Sequence, residues 1–173
     1  MLQLPPIPPW ESLHPLLIHF PIVLLLVSPL FILIGVVRGS SRGKPYLMAA
    51  LILLLLGTMS LFLSVETGEA AAELVDQTPP VRALLQSHQD LAENTRNVFV
   101  ALSLIGTAVL LLPRLIREDR VLFSRVLPLC FLVFYVVGML FLVNTADRGG
   151  RLVHELGVHA VITNDPGLFS NHY

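Results

Sequence analysis

Residues 13–26 read LHPLLIHFPIVLLL, an apolar run that opens with two histidines and two prolines. No Asp, Glu, Lys or Arg follows until Arg38. A helix needs about 20 apolar residues to cross a hydrocarbon layer of about 30 Å, and this stretch supplies them. Histidine is costly at such depth, and an ionisable group there is read first as functional. His14 and His19 therefore set both the fold class and the first question about function.

The rest of the chain agrees with a membrane protein. Of 173 residues, 54% are hydrophobic and only 13% charged, against about 25% charged in a typical soluble domain. The length suits one domain. A net charge of -1 and the lack of a basic stripe argue against nucleic-acid binding. The single cysteine, Cys130, has no partner for an internal disulfide. The opening MLQLPPIPPWESLHP has no Lys or Arg, so it lacks the positive start of a signal peptide, and the first span is expected to be retained.

Apolar runs at 16–37, 46–65, 98–112 and 127–143 predict an all-α, antiparallel four-helix transmembrane bundle within one domain. Seven of the eleven Lys and Arg residues fall in two short connections, RGSSRGK and PRLIREDRVLFSR, whereas the long middle connection holds only Arg82 and Arg96. Basic loops stay cytoplasmic. Both termini and the middle connection are thus expected on the periplasmic side of a bacterial inner membrane. VETGEAAAELVDQ should extend the second helix outward until Pro79 and Pro80 break it. VRALLQSHQDLAENTRN should run unbroken into the third span. Gly149 and Gly150 could bend the end of the fourth, and ITNDPGLFSNHY reads as coil. No internal repeat is visible at the level of sequence.

In this topology all six histidines, His14, His19, His88, His154, His159 and His172, lie at or above the outer interface. So do Glu66, Glu69 and Glu73. Imidazoles converging between bundle helices suit three chemistries. One is a b-type haem held by two neutral imidazoles. Another is copper or zinc bound by histidine with Glu66 or Glu69. The third is a quinone site in which histidine and carboxylate handle a proton. His19 and His88 form the preferred axial pair, with His14 and His154 as substitutes. Pro15 suits a first helical turn, and Pro21 should kink the helix beside His19. Trp10, Tyr46 and Tyr135 read as interface or packing aromatics. The lack of CxxCH argues against covalent haem attachment, and no hydrolase or phosphate-binding motif is present.

HPLLIHFPI, ETGEAA, a histidine ahead of the third span and GGRLVHELGV after the fourth together resemble the bacterial four-span membrane family DUF2231. The resemblance implies the four-span topology and points to His14, His19 and His88. In similar sequences the place of His154 is often a tyrosine. The expectation is a haem b electron-transfer subunit, more a redox component than a stand-alone enzyme. It would work between quinol and a periplasmic acceptor, alongside other electron-transfer subunits. The alternative is a cofactor-free assembly subunit.

Overall fold

The computed structural model describes residues 7–76, 78–115 and 121–159. The connection at 116–120 and the chain from 160 onward, with His172 and the expected coil, lie outside the described residues. A short 3-10 turn, Trp10–Ser12, leads into α1 (His14–Leu17), α2 (His19–Arg38), α3 (Ser40–Ala72), α4 (Pro79–Leu115) and α5 (Leu127–His154). A π-helical turn, Leu122–Val126, precedes α5. No strand occurs among the described residues. Four helical stretches, His14–Arg38, Ser41–Ala72, Pro79–Leu111 and Leu122–His154, are long and apolar enough to cross a membrane.

Pro79 and Pro80 occupy the first turn of α4, where a missing N–H costs nothing. That helix then runs for 37 residues, about 55 Å. A bilayer core takes up about 30 Å of such a length, which leaves about 25 Å of helix to extend beyond it. Leu30, Leu104, Val133 and Phe134 are exposed on the outside of the bundle. In water such a surface would aggregate; in a bilayer it is the solvated face.

α2 packs on α3, α3 on α4, α4 on α5 and α5 on α2, while the diagonal pairs do not meet among the described residues. The molecule is thus two helical hairpins, α2–α3 and α4–α5, side by side. The first hairpin turns through Gly39 alone, whose φ of 69° is the left-handed value that favours glycine. Farther along, a Cβ on Gly43 would fall on the Gly35 carbonyl oxygen, and one on Gly57 would lie 2.6 Å from Leu25 Cδ2. Small residues let the two backbones approach, the main attraction between helices where burial in lipid gives no hydrophobic gain.

The core centres on Leu25, Ile32, Leu54, Phe99, Phe131 and Tyr135, all essentially inaccessible. Phe99 and Phe131 meet Tyr135 edge to face at 5.7 and 5.9 Å between centroids. Tyr135 does more than pack. Pro29 has no N–H to offer the carbonyl four residues back, that of Leu25, and a freed carbonyl at this depth needs a partner. The Tyr135 hydroxyl donates to that oxygen at 2.9 Å. Tyr135→Phe should therefore lower stability by about 1–3 kcal/mol, the cost of an orphaned buried acceptor. The loss is measurable as a shift in thermal unfolding in detergent.

Candidate site between two hairpins at the histidine-bearing end

The break between α1 and α2 falls at Ile18, three residues before Pro21. Pro21 cannot bond the Leu17 carbonyl, so the helix is interrupted one turn below His14. α1 leans on α3 and brings His14 over the outgoing end of that helix. There His14 donates its Nδ1–H to the Ser64 carbonyl at 2.9 Å. A carbonyl can only accept, so Nδ1 carries the proton and Nε2 keeps a free lone pair.

The second hairpin repeats this arrangement. His88, on α4, donates its Nδ1–H to the Thr145 carbonyl of α5 at 3.1 Å, which leaves its Nε2 as an acceptor too. In both cases a glycine lies one turn beyond the accepting carbonyl, against the imidazole. A Cβ on Gly68 would be 2.9 Å from His14 Cε1, and one on Gly149 would be 3.1 Å from His88 Cε1. Ser64 precedes Gly68 as Thr145 precedes Gly149, by four residues. The duplicated unit is an imidazole, a carbonyl and a glycine.

Both histidines line one cavity of about 150 Å³ between the hairpins. Along α3 its wall runs from Ser64 to Val75, about 16 Å of helical rise, so so small a volume is drawn out into a slit. Val65, Ala72, Leu85, Ala92 and Leu152 make the wall largely apolar, and Glu11, Glu69 and His159 add polar groups. The Ser64 hydroxyl is buried without a hydrogen-bond partner among the described residues. Ala72, Leu85 and Leu152 of that wall also form a small second core with Leu156 and Val158. Gly157, at φ 65°, turns the chain so that Val158 N–H reaches the Leu152 carbonyl at 3.0 Å. The turn brings His159 to the cavity.

His88 lies ten residues before the third apolar run, in the half of α4 that also carries Arg82, Asp90, Glu93 and Arg96. Burial pushes its imidazole below the ordinary value of 6.5, and His14 and Arg148 nearby push the same way against the Thr145 carbonyl. As pH falls, the unfolded chain takes up this proton first. Stability from the neutral ring is complete above pH 6.5 and is lost as pH falls from there toward the lower folded value. Wild type should melt at a lower temperature at pH 5.5 than at pH 7.5, by more than a His88→Gln variant does.

The residues named from sequence divide clearly. His14 and His88 share the cavity, and Glu69 lies on its wall. His19 and Glu66 are exposed and do not line it, so the structure does not bring His19 to His88. The helix continues through Gly149 and Gly150, and His154 is exposed beyond them. The bond from His88 Nδ1–H to the Thr145 carbonyl and the contact with Gly149 put the His88 ring between those two residues, and His154 lies five residues, more than a turn, beyond Gly149. Among the described residues no cluster of three or more His, Cys, Asp or Glu is placed to hold a metal ion. The sequence marks Gly149 only as a bend and gives Gly68 no role beside an imidazole. The repeated four-residue step from Ser or Thr to Gly was the signal available.

A family model described as predicted membrane protein (DUF2231) matches residues 11–161. The chain belongs to the DUF2231 family. The match takes in α1 to α5 and both imidazole units, and four spanning helices fit the family's description as a membrane protein. No curated protein and no solved structure matches the chain.

Proposed function

We propose that this DUF2231 protein is a membrane electron-transfer subunit that holds a b-type haem between His14 and His88. The observation that carries this reading is the pair of imidazoles from different helices, each with Nδ1–H tied to a backbone carbonyl and Nε2 left free. Metal-bound histidine is held in this way, since the outer hydrogen bond fixes ring and tautomer. Donor number supports haem over copper or zinc. Structural zinc asks for four protein ligands and catalytic zinc for three, whereas a porphyrin brings its own nitrogens and asks the protein only for axial ones.

The slit shape and apolar wall suit a flat ring system. Its volume of about 150 Å³ matches a cavity that admits a single benzene, so a porphyrin requires the walls to part. When bound, the haem would supply a reversible one-electron couple. His14 and His88 would hold its iron, and the apolar wall of Val65, Leu85 and Leu152 would keep water away and tune its potential through burial.

The basic loops at the opposite end favour a periplasmic site with quinol as donor and a periplasmic protein as acceptor. Reduced-minus-oxidised absorption of protein expressed with added haem tests the reading. Sharp α and β bands with one haem per chain are expected. Absence of bands after both haem-supplemented expression and haem titration overturns it.

A further inference from the structure

We propose that Gly68 and Gly149 are positioning residues, each seating one imidazole of a duplicated half-site for the bound iron; this rests on the haem reading above. A histidine in the short helix that leads into α2, and another ten residues into α4, each reach across to the second helix of the hairpin. There each finds a carbonyl acceptor and, one turn farther, a glycine whose missing Cβ makes room for the ring. The ring cannot retreat freely from an added methyl, because its Nδ1–H is tethered to the same helix that would carry the methyl. At Gly68 the new carbon would sit 2.9 and 3.1 Å from His14 Cε1 and Nδ1; at Gly149 it would sit 3.1 Å from His88 Cε1. Either the tether breaks or the ring tilts, and Nε2 moves off the position that the tether gives it. Ligand geometry tolerates only about 0.5 Å or 10–20° of such error.

A purely structural glycine makes the opposite forecast. Both positions lie inside long helices, where alanine is the better helix former. Gly150 supplies the internal control, since a Cβ there meets nothing within 4 Å. Gly68→Ala and Gly149→Ala should each hold haem about 10–100-fold more weakly, as loss of an outer-shell partner does. Their ferric spectra should lose part of the six-coordinate low-spin signature. Gly150→Ala should match wild type, and apo-protein melting should not fall in step with haem loss.

Low-spin spectra and haem affinity unchanged in both Gly68→Ala and Gly149→Ala overturn the seat while leaving the haem reading intact. Should wild type bind no haem, nitrogen NMR of histidine-labelled apo-protein still decides. Nδ1–H signals of His14 and His88 present in wild type and lost in the matching glycine variant support the seat. Signals that persist unchanged overturn it.

Discussion

On the haem reading, His14→Ala and His88→Ala should each weaken haem binding by more than about 100-fold, beyond the 10–100-fold that removal of a mere outer-shell partner costs. Bands should vanish from protein purified without added haem. A bis-imidazole site has no spare donor, and the described residues place no third His, Cys, Asp or Glu for metal binding with this pair. His19→Ala and His154→Ala supply the contrast. Both side chains are exposed and off the cavity wall, so their haem content should equal wild type. Helical circular dichroism of all four variants should be preserved, because the main core of Leu25, Leu54, Phe99 and Tyr135 lies elsewhere. A loss on His19→Ala equal to that on His14→Ala would refute the assignment. Variants that alter assembly with unchanged haem content would favour the cofactor-free reading.

The second large effect lies far from the site. Gly43→Ala places a methyl on the Gly35 carbonyl oxygen, backbone against backbone. Side chains elsewhere can turn aside; here two helices must separate. Overpacking commonly costs 1–3 kcal/mol, and a contact with no rotamer to yield should cost about 3 kcal/mol or more. The substitution should leave little folded protein in detergent, read as early unfolding against added denaturing surfactant. Gly150→Ala, where the space is open, should unfold with wild type. If Gly43→Ala unfolds with wild type as well, the close approach is not what joins the first hairpin.

Four crossings were legible in the sequence because charge is excluded from lipid, and the histidines' common end was legible from the basic loops. The choice between His14 and His19 was not. Five residues turn a helix by about 140°, so the two point to different neighbours. A soluble helix would have declared its inner face by polarity. Here lipid and core are equally apolar, and the two faces read alike. The pairing of His88 with Gly149 rather than His154 was hidden for another reason. It depends on the vertical offset of α4 and α5, which contacts such as Thr95 with Thr145 set. Tyr135 read as a packing aromatic because Pro29 and Leu25 lie more than a hundred residues away in sequence.

That tyrosine has a consequence for the distant slit. The two histidines belong to separate hairpins, and slippage of one hairpin past the other by a single residue would offset their rings by about 1.5 Å. A greasy interface resists such sliding poorly, since one leucine exchanges for the next at little cost. The hydroxyl of Tyr135 reaches from the second hairpin to one fixed oxygen of the first, at Leu25. It acts as a vernier stop: a proline's defect in one hairpin holds the hairpin that carries His88 at a fixed height against the hairpin that carries His14.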